Sequence, residues 1–449
     1  MHDADKILLP RWTIPVAGGE NSDPATVLED HAVVIVGDRI AEAGARSEVL
    51  DAWESAEMVE LDDHVLIPGL VNAHTHAAMT LLRGFADDLP LMRWLSEYIW
   101  PTEARCVDRD YVAVGTDLAM LEMIRGGTTC FQDMYFFPDT VAARAEAAGM
   151  RATVGMIAIE FPTAWAATPE EYIEKGLETR DALRHSRLVN AAFAPHAPYT
   201  VSDKTLEKIA TLAEELDCQV HMHVHETEHE ISESIARFGV RPLDRLDRLG
   251  LVSPRLAAVH MTQLLDMEIE SVASHGISVI HCPQSNLKLA SGMCRVADLL
   301  RADVNVAIGT DGASSNNDLD MLSEMQTASL LAKGIAGDPS AMNAAQSLWA
   351  ATMGGARALG MEDRIGSIEP GKFADLVAID LSVARSLPVY HPLSQVVYGC
   401  AGDQVSHVWI GGCQVLDSGS FTRLEKDRVL ADASQWGLKI ARQPPSSGT

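Results

Sequence analysis

Cysteine pairing is the first thing this 449-residue sequence lacks: its seven cysteines are scattered, odd in number and nowhere arranged as CxxC. That pattern argues against a disulfide framework and favours buried free thiols over metal ligands, as in a reducing compartment. Basic residues are also scarce, 35 against 63 acidic, for a net charge of -28. A field of that sign repels phosphate backbones, so nucleic acid is excluded as the expected partner. A well-solvated surface accounts for the excess, which says nothing about substrate charge. No apolar run is long enough to cross a bilayer. The start, Met1-His2-Asp3-Ala4-Asp5-Lys6, lacks a basic segment followed by an apolar stretch and a cleavage site. The expectation is a cytoplasmic protein with no membrane partner, and 47% hydrophobic with 22% charged residues suits an ordinary folded chain.

What is present is a β-rich beginning, a β-rich end and an alternating middle. "VVIVGDRIAEAG" (33–44) reads as strand, Gly-Asp turn and strand, and "ADLVAIDL" (374–381) with "HVWIGGCQVLDSG" (407–419) has the same texture. Between them, short apolar runs at 69–74, 128–133, 152–157, 189–196, 219–223, 257–260, 278–281 and 304–311 alternate with amphipathic helical stretches. One is "DKTLEKIATLAEEL" (203–216), which Ser202 is placed to cap. Strand and helix repeated eight times predict an α/β fold, a (β/α)8 TIM-type barrel over 67–365. The two ends, 1–66 and 366–435, are expected to share a small β-sandwich with a terminal helix, and 436–449 to be a flexible tail.

Six of the eight strand candidates run into a ligating side chain: His74/His76, His196, His223, His260, His281 and Asp311. Strand C-termini of such a barrel converge, so residues far apart in sequence would meet there. His74-Thr75-His76 places two imidazoles on one strand face, where they can share one ion. The densest stretch, "HMHVHETEH" (221–229), allows two readings. His225-Glu226-Thr227-Glu228-His229 is the HExxH pattern of zinc proteases if helical. Read as the end of a strand, it offers only some of its histidines to a site. "CQVHMHV" alternates like a strand, and no third protease ligand follows at the usual spacing, so the strand reading is preferred.

"PGLVNAHTH" (68–76), "PHAPYT" (195–200), "HVHET" (223–227), "VHMT" (259–262), "HCPQSNLKLASG" (281–292), "GTDGASSNND" (309–318) and "GSIEPGKFADLVAID" (366–380) occur in this order. Together they resemble the amidohydrolase superfamily over roughly residues 5–420. Within it the sequence is most similar to the 5'-methylthioadenosine/S-adenosylhomocysteine deaminases, mainly through Glu103, His196 and the 285–292 and 313–318 loops. The resemblance implies one divalent metal, with zinc first and iron, manganese or nickel also suited, held by His74, His76, His223 and Asp311. It implies that Glu226 shuttles protons, that His260 orients the attacking water and that Asp311 accepts its proton. Glu103, Arg151 and His196, with Glu226 and Asp311, would bind the nucleoside, Arg151 being placed to take up a homocysteine carboxylate. The strand-four lysine of two-metal relatives is missing, hence one ion. A metal can lower the pKa of water to about 7, and a carboxyl group beside it can protonate adenine N1. The zinc deaminases with HxE…PCxxC are a different class, excluded because PCxxC is absent.

Three other functions remain open on sequence. A free-base deaminase acting on guanine, 8-oxoguanine or cytosine would leave Glu103, a ribose-binding acid, without a task. A triazine hydrolase or an inactive scaffold barrel are the others. The apolar stretch Leu89–Trp100 either walls a 5'-thioether or lies in a subunit interface, a homo-oligomer being expected.

Overall fold

The structure, a computed structural model, describes residues 2–17 and 25–442. Eight parallel strands lie side by side in chain order. They are Leu70–Thr75 (β1), Thr128–Asp133 (β2), Arg151–Ala158 (β3), Val189–Pro195 (β4), Val220–Val224 (β5), Leu256–His260 (β6), Ser278–His281 (β7) and Val306–Ile308 (β8). Each matches a segment expected from the sequence. β8 is shorter than the run through Asp311, because the chain leaves the ladder where it passes β1. There Gly309 lies so close that a Cβ would stand 2.7 Å from the His74 nitrogen.

Among the described residues no backbone ladder joins β8 to β1; side-chain bonds and one backbone bond finish the ring. Asn72 Nδ2 donates to Thr310 Oγ1 at 2.8 Å, and Thr310 N donates to Asn72 Oδ1 at 3.0 Å. The Asp311 amide then donates to the His74 carbonyl at 3.0 Å. This closure sets the last metal-ligand candidate directly against the first.

Strands from both ends of the chain form one nine-stranded sheet, joined where Leu376–Asp380 pairs antiparallel with the end of Met58–Pro68. Alternation decides its faces. Leu8, Val33, Leu66 and Trp409 point into one small core, while Ile7, Leu9, Ala32 and Val34 face the other way, against Val49 of a short helix. The sheet folds back on itself until the turn at Gly412 meets the turn at Gly37, with 2.6 Å between a Cβ built on Gly412 and the Gly37 oxygen. The sandwich expected from the termini is therefore one continuous, doubled sheet.

Two more elements matter for the site. Leu91–Cys106 is a helix whose middle, Trp94–Ile99, widens into a π turn, a feature frequent at functional sites. Helix Asp203–Glu215 begins as expected, with the Ser202 side chain accepting from the Thr205 amide. The tail expected from 436 needs correction: Lys426–Ala441 is helical and buries Trp436 and Ile440, whose apolar faces outweigh the disorder suggested by the "QPPSSGT" that follows. Residues 443–449 lie outside the described residues. Among the described residues no helix is long and apolar enough to cross a membrane.

Candidate active site

One nitrogen each from His74, His76 and His223 and one oxygen from Asp311 lie within 4.8 Å of one another at the C-terminal end of the barrel. His74 Nε2 and His76 Nε2 are each 3.3 Å from Asp311 Oδ1, and His223 Nε2 is 3.1 Å from His74 Nε2. The outer nitrogens are already engaged. His76 Nδ1 meets the Met134 carbonyl at 2.6 Å, and His223 Nδ1 the His196 carbonyl at 2.8 Å. A carbonyl only accepts, so both Nδ1 atoms carry hydrogens and, in the neutral rings, both Nε2 atoms aim lone pairs at the cluster. His74 Nδ1 pairs with His221 Nε2 at 2.7 Å, which gives His221 the task of orienting a ligand. Acceptors crowded around one point with no donor between them fit a divalent cation, and imidazole with carboxylate suits a transition metal or zinc.

Asp311 is held from its other side. Ser285 Oγ donates to its Oδ2 at 2.6 Å and Ser315 Oγ at 3.0 Å, while the Gly312 amide donates to Oδ1 at 2.8 Å. His260 leans over the cluster, its ring stacked 5.4 Å from that of His223. Its Nδ1 pairs with Asn286 Oδ1 at 2.8 Å, so with that nitrogen protonated Nε2 is an acceptor facing inward, 3.9 Å from Glu226 Oε1. Glu226 is buried, and burial together with the nearby Asp311 charge raises its carboxyl to about 8. A proton donor at neutral pH thus stands beside a proton acceptor.

Backbone strain gathers at the same residues. His225, His260 and Asp311 have φ of 55°, 77° and 63°, a region that costs non-glycine residues roughly 1–3 kcal/mol each. Local bonds hold it in place. Buried Glu230 accepts from the amides of His225 at 3.0 Å and Glu226 at 2.7 Å, and Thr262 Oγ1 donates to the Glu226 carbonyl at 2.7 Å. His225 Nε2 accepts from the Leu243 amide at 3.1 Å, and helix Glu228–Phe238 starts only after Thr227. His225 and Glu226 therefore precede the helix, which removes the HExxH reading; His229 is exposed on that helix.

Above the cluster opens a cavity. His76, His223, Glu226, His260 and Asp311 form its polar floor, and Glu103 and His196 stand in its wall. Glu103 accepts from the Tyr135 hydroxyl at 2.7 Å, and burial lifts its carboxyl to about 7. His196 Nδ1 pairs with Thr200 Oγ1 at 3.0 Å, and burial lowers the ring to about 3, so it is neutral. Leu91, Trp94, Leu95, Ile99 and Trp100 supply apolar wall from the widened helix.

Arg151 is a correction. It is the first residue of β3, whereas Ile157, near the far end of that strand, lines the cavity, roughly 20 Å away at about 3.3 Å per residue. Its guanidinium is buried in a two-pronged pair with Asp375, Nε–Oδ2 2.7 Å and Nη2–Oδ1 3.0 Å, and so ties the barrel's lower rim to the terminal sheet. Removing one partner of a buried pair costs about 3–5 kcal/mol. Arg151→Ala should lower stability by about that much in denaturant titrations and leave the KM of the remaining folded enzyme unchanged. A raised KM with intact stability would restore a substrate role.

Four acceptors aimed at one point, in a barrel that keeps an acid beside them, are the architecture of metal-dependent hydrolases. Residues 65–415 match the amidohydrolase family, and the chain belongs to it, an enzyme that hydrolyses C–N bonds. It is 48% identical over 96% of both chains to a 5-methylthioadenosine/S-adenosylhomocysteine deaminase of Teredinibacter turnerae. A like-named protein of Saccharophagus degradans is 44% identical over 99% of this chain and 98% of its own. A crystal structure of an adenosine deaminase from Xanthomonas campestris with bound zinc superposes with a TM-score of 0.96, at 50% identity, covering 98% of this chain and 99% of that one.

Proposed function

We propose that this enzyme hydrolytically deaminates the adenine ring of 5'-thio-substituted nucleosides, 5'-methylthioadenosine and S-adenosylhomocysteine, to the inosine analogue and ammonia. The observation that carries the reading is one cavity with His76, His223 and Asp311 of the four-acceptor cluster and Glu226 in its floor and a half-buried carboxyl, Glu103, in its wall. A ring amidine needs the first two; a ribose cis-diol offers two donors to the third. A free base would leave Glu103 idle, and a triazine likewise.

His74, His76, His223 and Asp311 would hold the metal, zinc by preference, which when bound supplies Lewis acidity that makes water a nucleophile near neutral pH. His260 Nε2 accepts a hydrogen bond from the attacking water and orients it. Asp311, steadied by Ser285 and Ser315, accepts the proton that the water gives up. Glu226, protonated at neutral pH, gives its proton to ring N1 as the tetrahedral adduct forms, and a further proton delivered to the amino group releases ammonia. His196, neutral and half-buried, presents Nε2 to the nucleoside. A cytoplasmic setting suits seven free thiols, six of them buried.

An assay for ammonia and the purine absorbance change, with 5'-methylthioadenosine, adenosine, guanine and cytosine, tests the reading. Turnover of guanine or cytosine alone would overturn it. Glu103 adds a pH signature. Burial favours its neutral form, so the carboxylate that grips a diol is present above about 7 and lost below it. KM for nucleosides should rise on acidification by up to ~10-fold per pH unit below that point. Glu103→Gln should raise KM throughout and flatten this limb; an unchanged limb in the variant would assign it elsewhere.

A further inference from the structure

With the substrate oriented by the metal cluster and by Glu103, its 5' substituent has only the rest of the cavity wall to meet. That wall is Leu91, Trp94, Leu95, Trp100, Phe161 and their apolar neighbours. Among the described residues, the charged lining side chains apart from the histidines are all acidic: Glu103, Glu226 and Asp311. The adjoining cleft, between Pro90–Met92 and Leu289–Gly292, adds Glu228 and His229. Cations next to these linings in the chain are already committed. Arg93 is paired with Glu97 at 2.9 Å, and Lys288 with Asp87 at 2.7 Å, Lys288 also donating to Asn317. Arg151, the arginine expected for a carboxylate, is locked to Asp375 at the opposite end of β3.

We infer that the enzyme selects adenine nucleosides with an uncharged, apolar 5' substituent, a short alkyl thioether above all, and discriminates against an amino-acid tail ending in a carboxylate. The inference rests on the adenine-nucleoside reading above and ranks substrates within it. Its physical basis is that a carboxylate entering this wall gives up water and finds, among the described lining residues, neither lysine nor arginine to pair with, whereas a thioether replaces water against tryptophan and leucine at a gain. The widened helix is thereby the specificity element, Trp94 and Trp100 its contact residues, with Phe161 packed against Trp100 from the loop after β3.

Charge has to be separated from length, and a set of three substrates does so. 5'-Methylthioadenosine is short and neutral, 5'-butylthioadenosine is long and neutral, and S-adenosylhomocysteine is long with a charged tail. On the metal-loaded enzyme, kcat/KM for the two neutral compounds should agree within about tenfold, while the charged one falls roughly 10²-fold below the butylthio compound, the scale of an unpaired buried polar group. Equal turnover of the butylthio and homocysteine compounds would overturn the inference and leave the deaminase reading standing. Loss of both long compounds together would overturn it too, making length the criterion. Failure of all three would bring down the deaminase reading itself, and the inference with it.

Discussion

Glu226→Gln will lower kcat by roughly 10²–10⁴-fold, the usual share of a positioned acid–base group, with KM changed by only a few fold and metal content unaltered. The reason lies in the state of the wild-type side chain. Burial and the Asp311 charge keep Glu226 protonated up to about pH 8. Glutamine then matches it in shape and, at pH 7, in charge, so the substitution removes the transferable proton and little else. The amides that define the turn are unaffected, since they are held by Glu230 rather than by the Glu226 side chain. Stability gives an independent check with a definite sign. A carboxyl with a raised pKa favours the folded state least at high pH, the loss accruing between the unfolded value of 4.5 and about 8. Glu226→Gln should therefore be at least as thermostable as wild type at pH 8, while being nearly inactive. Steady-state kinetics, metal analysis and melting curves on one preparation test all of this. Retention of kcat within tenfold would move the shuttle to another group, His260 being the nearest.

Much of this site was readable because a parallel barrel puts its chemistry at strand ends, and strand ends can be found in a sequence. β1, β5 and β8 each deliver their ligands within three residues of the strand's last residue, as the pattern of apolar runs ending in histidine or aspartate suggested. The supporting bonds were less visible. Nothing local in the sequence marks Ser285 or Asn286, whose partners Asp311 and His260 come from other strand ends. His221 could be placed on the face of His223 by alternation, but only the fold shows that it engages His74. Asp133 was a missed signal, a carboxylate closing the second strand run, which accepts from the Ala77 amide at 2.7 Å and fixes the turn after His76. Arg151 was misplaced although the clue was present. It precedes the apolar run of β3, and a residue at a strand's start faces the end of the barrel away from the chemistry.

Removal of the metal by chelation will abolish turnover without unfolding the barrel, and restoring one equivalent of zinc will return it. Lost activity follows because His260, Asp311 and Glu226 can orient water and move protons, but none of them makes water nucleophilic at neutral pH. The surviving fold follows because the barrel core and the doubled sheet are packed independently of the four ligands. Stability should still fall, by about 4 kcal/mol where the ion had been present at 1,000 times its dissociation constant. Two substitutions separate holding the ion from orienting what holds it. His223→Ala deletes a ligand, so metal content and turnover should vanish together, even with zinc added at moderate excess. His221→Phe removes only the bond to His74 Nδ1, and loss of such outer partners typically weakens metal binding ~10–100-fold. That variant should purify with little metal yet regain near wild-type kcat at saturating zinc. If it instead stays inactive when fully loaded, as judged by metal analysis, His221 takes part in the reaction beyond orienting His74, and the division between ligand and support drawn here is wrong.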